Sequence, residues 1–360
     1  MNPMNTRIRH KQQLGLSLIE LMIAIVIGVL LMAGTAGLLI SNKRIYKEQN
    51  EMGRLQENAR FAMEILIKDI RRAGYSGCVD RTNAVTNHLN NAGIDTYMGN
   101  FNILVEGSEA ASNWYPSNSN EGVADMVAGS DGITIKFFEP LSIELDFTMP
   151  STSAVVSVDT TGDIAVGDIL AVTDCDSADI FQVTGVTGTN GDLAHQTGSQ
   201  TPGNASQALS KAYADGASVE SLVARRYFVG TNPNTGETAL FRLGPDTRDV
   251  DDIDGDGDTT EILPQEVIEG VENMQVLYGE DTAGNDLIAD TYVSADAVTN
   301  WNNVVSARIS LLMRTIQEDF TAPLNTTVYN LLGTAVDPNP DDHRRRRVFT
   351  STINIRNRTN

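Results

Sequence analysis

Residues Gly15–Ile40 read GLSLIELMIAIVIGVLLMAGTAGLLI, an unbroken apolar run in which the single ionisable side chain is Glu20. Residues 16–40 contain no Lys, Arg, Asp or Pro, and their number exceeds the ~20 apolar residues that cross a bilayer as a helix. Glu20 is unfavourable there. An acid in hydrocarbon opposes insertion by roughly 2.5–3.5 kcal/mol, so an intramembrane carboxylate implies a function and a partner. The partner of complementary charge is an amine.

Ahead of this run lies MNPMNTRIRHKQQLG, which carries Arg7, Arg9, His10 and Lys11, has no acid and closes on Gly15. An ordinary secretory signal puts its small-residue cleavage site after the apolar core, whereas the only such site here precedes it. Cutting between Gly15 and Leu16 removes a basic leader and leaves the apolar helix on the mature chain. Basic leader, Gly, apolar residue and Glu as fifth mature residue together resemble the class III signal of type IV prepilins and type II secretion pseudopilins. Most members begin the mature chain with Phe, and Leu16 is a conservative departure. The resemblance implies cleavage at Gly15–Leu16 by prepilin peptidase and N-methylation of Leu16. It also supplies the amine, because Glu20 then pairs with the terminal amine of a neighbouring subunit.

Orientation follows from the same resemblance. Lys43, Arg44 and Lys47 beyond the run match the three Lys and Arg before it, so the positive-inside rule does not decide. A peptidase acting on the cytoplasmic face puts the remainder outside. The expected protein is single-pass in the inner membrane, with a periplasmic C-terminal domain that reaches the extracellular pilus on assembly.

With 360 residues, 41% of them apolar, the chain can bury a sizeable core. Removing the leader takes 26 Lys and Arg to 23 against 47 Asp and Glu, a formal charge of −24. Such a surface repels nucleic acid and anionic lipid. Cys78 and Cys175 both follow the apolar run. In an oxidising compartment their pairing closes a loop of nearly a hundred residues, worth up to about 4.7 kcal/mol in the chain-entropy model. Two unrelated thiols are the alternative.

The helix is expected to continue past the bilayer. No Pro occurs from Asn42 to Ala73, and Met52, Leu55, Ala59, Ala62, Leu66, Ile70 and Ala73 recur at spacings of three and four, the pattern of one buried stripe. A single helix from Leu16 to Ala73 would be roughly 87 Å long, with Gly74 and Gly77 ending it. Gly28, Gly34, Gly37 and Gly53 each weaken it by about 1 kcal/mol relative to Ala.

Beyond Cys78 the pattern turns to short strands and loops. ITIKFF (133–138), SAVVSV, DILAVTDC and DIFQVTGV read as consecutive antiparallel strands. Residues Asn83–Asp131 read as mostly loop with a short strand at Phe101–Val105, and Gly185–Ala217 as a long surface loop. VESLVARRYFVG and TALFRLG flank a turn at NPNTG, and ILPQEV suggests a helical turn feeding a strand at Met274–Tyr278. VVSARISLLMRTI turns Val305, Ala307, Ile309, Leu311 and Met313 inward and Ser306, Arg308, Ser310 and Arg314 outward. VFTSTINIRN sets Phe349, Ile353 and Ile355 on one side.

The expected fold class is therefore α+β: a long N-terminal transmembrane and amphipathic helix packed on a large, mainly antiparallel β domain. Its parts are leader 1–15, membrane helix 16–40, amphipathic extension 41–74 and extracytoplasmic domain 75–360.

The runs RFAMEILIKDIRRAGYSGC, VARRYFVG, EGVENMQVLYGED, WNNVVSARISLLMRT and RRVFTSTINIRNR are similar to the PilW family of type IV pilus assembly proteins. That resemblance implies a minor pilin that takes part in initiating assembly, at the filament tip. Its partners would be other minor pilins, the major pilin, prepilin peptidase and the inner membrane. A minor pseudopilin of type II secretion and a pilus-carried adhesin are the alternatives.

Other candidate sites carry less. DVDDIDGDGDTTE places Asp252, Asp254 and Asp256 at alternating positions with Gly257 at the turn, as a calcium loop requires. Leu263 occupies the position of the usual bidentate Glu. Either Asp258 or Glu261 closes a calcium shell, or the run is a solvated acidic turn. HRRRR at His343–Arg347 follows Asp337, Asp341 and Asp342 and lacks interleaved aromatics, which favours a charge-compensated loop over nucleic-acid binding. His88, His195 and His343 stand in polar stretches without metal-ligand spacing, and no G-x-S-x-G, phosphate loop or H-E-x-x-H occurs. An enzyme is not expected, and no cofactor other than calcium is suggested.

Overall fold

The computed structural model describes residues 17–79, 84–90, 103–109, 125–188, 191–198, 202–244, 264–284, 286–338 and 342–357. The chain forms two compact units, 1–53 and 54–360. One helix, α1 (Leu18–Arg72), contributes to both. In the first unit its apolar side chains, among them Leu18, Ile23, Leu30 and Leu39, are exposed. The helix is long and apolar enough to cross a membrane.

In the second unit the helical stripe meets its partner. Leu55, Ala59, Ala62, Met63, Leu66, Ile70 and Ala73 all lie in the main core. Leu66 and Ile70 are wholly buried, each worth about 1.5–3 kcal/mol. The helix stops at Gly74, whose φ of 76° is a left-handed conformation that glycine adopts without strain. Arg72 O, which also accepts from Tyr75 N at 2.8 Å, and Ala73 O accept from Asn357 Nδ2 at 3.3 and 3.4 Å, so a residue just past the strand 346–354 helps cap the helix.

Eighteen strands follow among the described residues. In chain order they are β1 (Val85–Asn87), β2 (Val105–Ser108), β3 (Asp125–Met126), β4 (Gly132–Glu144), β5 (Val156–Ser157), β6 (Ile169–Thr173), β7 (Ala178–Gln182), β8 (Gly185–Thr187) and β9 (Asp192–Ala194). Then come β10 (Ser218–Thr231), β11 (Thr238–Leu243), β12 (Gln265–Glu269), β13 (Val271–Glu280), β14 (Thr291–Val293), β15 (Val304–Arg314), β16 (Tyr329–Leu331), β17 (Thr334–Val336) and β18 (Arg346–Asn354).

The nine-stranded sheet is built on β10, which pairs with β4 along one edge and with β6 and then β11 along the other. Its order is β1-β7-β6-β10-β11-β12, with β3 and β4 on the other edge of β10 and β2 paired to β4. A four-stranded sheet, β14-β13-β15-β18, supplies much of the opposite wall of the core. The pairing is antiparallel except between β1 and β7, which run parallel. A small sheet, β5-β9-β8, and the hairpin β16-β17 complete the unit. The fold is thus a long apolar helix with a large, mostly antiparallel sheet domain.

Several sequence expectations are corrected. Gly185–Ala217 is no surface loop: it contains β8 and β9 and buries His195, Asn204, Leu209 and Tyr213. Among the described residues no helical turn feeds Met274–Tyr278, since Gln265–Glu269 is the strand β12, paired with β11. The SAVVSV strand shrinks to Val156–Ser157 and pairs with β9 rather than with β6. On β15 a register irregularity between Gly279 and Glu280 of β13 shifts the inward phase. Val304 rather than Val305 therefore joins the main core with Ala307, Ile309, Leu311 and Met313. The opposite face of β15 is covered too, so Ser306 and Ser310 are buried.

Candidate functional site

Ser17 stands immediately before α1, and its side chain pairs reciprocally with Glu20. Glu20 N donates to Ser17 Oγ at 3.3 Å, and Ser17 N donates to Glu20 Oε2 at 3.4 Å. This is a capping box, which satisfies two of the amides a helix start leaves without intrahelical acceptors. The S-x-x-E signature was legible in the sequence as a cap, a role not assigned to it above. Gly15 and Leu16 lie outside the described residues.

The other end of the helix is fastened to the sheet by buried polar contacts. Asp69, buried under the helix, accepts from Arg225 Nη1 at 3.0 Å and from Tyr227 OH at 2.6 Å. Burial and the adjacent Asp69 carboxylate both push the Tyr227 hydroxyl far above the usual tyrosine range, so it stays a donor. Arg72 bonds Glu139 at 3.0 Å and lies over the Phe137 ring at 4.3 Å. Six residues past the helix, Cys78 is disulfide-bonded to Cys175 in the turn between β6 and β7, with an S–S distance of 2.00 Å.

The arginine run is compensated from afar. Arg344 binds Glu237 at 2.7 Å, and Arg346 binds Glu272 at 2.8 Å and Asp342 at 2.7 Å. Arg314 shares Glu237 and Glu272 at 2.9 and 3.4 Å. The acids therefore come mostly from the β10–β11 turn and from β13 rather than from the neighbouring aspartates alone. Because the Arg346 side chain is fully buried, Arg346→Ala would take the bidentate partner from Asp342 and leave Glu272 only its longer contact with Arg314. A loss of about 3–5 kcal/mol is expected in denaturant unfolding. Stability within 1 kcal/mol of the parent would refute a structural role for this arginine.

Residue types known from hydrolases do meet inside the domain, wired differently. Asp179 accepts from His88 Nε2 and Ser210 Oγ, both at 2.6 Å, and from Tyr213 OH at 2.7 Å. Burial alone would raise its pKa, but these donors outweigh burial and hold the carboxyl below its ordinary range. Serine and histidine both bond the carboxylate, so the group pins the segment before β10 onto β7. His88 and His195 are buried, contrary to the polar-loop expectation. Burial lowers the His195 pKa, and its Nε2 lies 2.7 Å from Ala154 O. Asp252, Asp254, Asp256, Asp258 and Glu261 lie outside the described residues. Among the described residues no group of three or more His, Cys, Asp or Glu could hold a metal ion.

Comparison with known proteins meets this geometry at two places. Residues 226–357, from the second half of β10 through β18, match the family model of Type IV Pilus-assembly protein W. Residues 10–36 match the prokaryotic N-terminal methylation motif. Among solved structures the chain is similar to the type IV-like pilin TTHA1219 from Thermus thermophilus, at 13% identity over 85% of this chain and 98% of that one, with a TM-score of 0.30. No curated protein matches. A methylation-type leader segment followed by an apolar helix and a mainly antiparallel sheet domain defines a type IV pilin-like prepilin. Within that class the two matched stretches are similar to a prepilin of the PilW type. The motif and the apolar helix indicate a membrane-anchored protein with a soluble C-terminal domain.

Proposed function

We propose that this protein is a structural minor pilin, without catalytic activity, that takes part in initiating type IV pilus assembly from the filament tip after cleavage between Gly15 and Leu16 and methylation of Leu16. The observation that carries the reading is Glu20, the one ionisable group in an apolar segment whose side chains find no cover within their own unit. Lipid covers such a surface before assembly and sibling helices cover it afterwards, and only the sibling brings an amine for the acid. The size of the sheet domain, which fills most of residues 54–360, favours a terminal position where successive subunits do not crowd it. The partners are then other minor pilins and the major pilin, with the domain on the periplasmic side until export.

Processing is tested by intact mass. The mature protein is expected to lack residues 1–15 and to carry one added methyl group. Gly15→Arg is expected to stay full-length, because the peptidase must accept a residue without side-chain bulk at that place. Normal processing of Gly15→Arg would refute the class III reading. Tip position is tested by labelling purified pili, where signal along the whole filament rather than at one end would refute it.

A further inference from the structure

The large sheet holds one acid that neither the fastening of the helix nor the proposed assembly role uses. Glu220 sits on β10 at a register irregularity, where the pairing with β4 shifts between Val219 and Glu220. Such irregularities re-aim side chains. The residue is 6% exposed, and its Oε2 has no hydrogen-bond partner among the described residues. Its pairing with Ala171 of β6 places it on the face that carries Leu222, Phe138 and Val79, an apolar cluster. Its other oxygen lies against Gly77, where an added Cβ would come within 2.4 Å of Oε1. Gly77 has a φ of +68° and immediately precedes Cys78. A cavity of about 20 Å³, lined in part by Gly74, Tyr75, Ser76 and Phe138, lies under the same segment and has room for about one water.

We propose that Glu220 is a proton-operated latch: protonated, it lets the Gly74–Val79 segment seat against the large sheet, and ionised, it loosens that seat and leaves the Cys78–Cys175 bond as its covalent tether. An unpaired carboxylate in an apolar site is strongly disfavoured, whereas the neutral acid is tolerated. Burial accordingly raises the Glu220 pKa, and no charged neighbour contributes. Charged groups on the elements around it are engaged with other partners. Arg72 and Arg225 bind Glu139 and Asp69 and stack with Phe137 of the main core, and Asp174 pairs with Lys211 at the Cys175 turn. His88 is held by Asp179.

The sign follows from linkage. A carboxyl whose folded pKa is raised contributes stability that is fully present below the ordinary glutamate range and is lost as pH rises through that range to the folded pKa. Asp179 and Asp342, whose pKa values are lowered, act in the opposite sense and in more acid solution.

The test is hydrogen exchange of the detergent-solubilised full chain, read for the segment 74–79 and corrected for intrinsic rates. Protection there is expected to fall about tenfold per pH unit above the ordinary glutamate range and then level off. Glu220→Gln keeps the shape without the charge, and its protection is expected to be independent of pH and at least equal to the wild-type maximum. Glu144→Gln, an exposed acid on β4, is expected to retain the wild-type fall. Wild-type protection of 74–79 that does not change with pH would overturn the proposal without recourse to any variant. So would an unchanged fall in Glu220→Gln, or its disappearance in Glu144→Gln.

Discussion

Glu20→Ala is expected to be cleaved, inserted and folded with its disulfide intact, yet to fail in supporting piliation in a strain that lacks the native copy. Removing the acid makes insertion easier by the few kcal/mol that it opposed. What disappears is an attraction that is strong only away from water: two unit charges 4 Å apart gain about 4 kcal/mol at an effective dielectric of ~20, against about 1 in bulk water. An association constant should then fall roughly a thousandfold. The capping box complicates the alanine variant, because Glu20 also bonds Ser17 N, and loss of a cap costs about 0.5–2 kcal/mol at a helix start. Glu20→Gln separates the two roles, since glutamine serves a capping box as well as glutamate does but carries no charge. If the acid acts by pairing, both variants assemble poorly. Full piliation by Glu20→Gln beside failure of Glu20→Ala would assign the effect to the cap and remove the pairing role.

The parts of the fold that the sequence made legible are those whose periodicity is local. Leu55, Ala59, Ala62, Leu66, Ile70 and Ala73 recur at helical spacing and are buried as one stripe. Ile353 of β18 and Ile355 just beyond it likewise reach the main core. Illegible were contacts between residues far apart in the chain. The parallel pairing of Val85–Asn87 with Ala178–Ile180 joins segments too short to have a pattern of their own. Of the partners of Arg344 and Arg346 only Asp342 is near in sequence, while Glu237 and Glu272 lie 107 and 74 positions away. Polar residues such as Asn204 and Ser210 made Gly185–Ala217 look solvated, although their hydrogen bonds are met by Gln182 and Asp179 of β7. At the candidate site Glu20 stood out for the opposite reason: a charge in an apolar run needs no tertiary knowledge to be noticed. Its cap contact with Ser17 is equally local, within one helical turn.

Replacing both Cys78 and Cys175 by Ser is expected to lower stability by about 4 kcal/mol, and the melting temperature by on the order of 8 °C or more. The bond closes a sequence separation of 97 residues, so in the chain-entropy model most of its effect is a restriction of the unfolded chain. The folded state should change little. Asp69 with Arg225 and Tyr227, and the buried stripe from Leu55 to Ala73, hold the helix on the sheet without help from the disulfide. The variant should therefore keep the helix docked while melting earlier, and reductant should bring the wild type down to the variant without moving the variant further. The local consequence is confined to residues 74–79, which lose their covalent tether and should exchange amide protons faster than the helix they follow. If wild type and variant melt together, with and without reductant, the crosslink does not restrain the unfolded chain, and the stability of this domain rests on the core and the buried ion pairs alone.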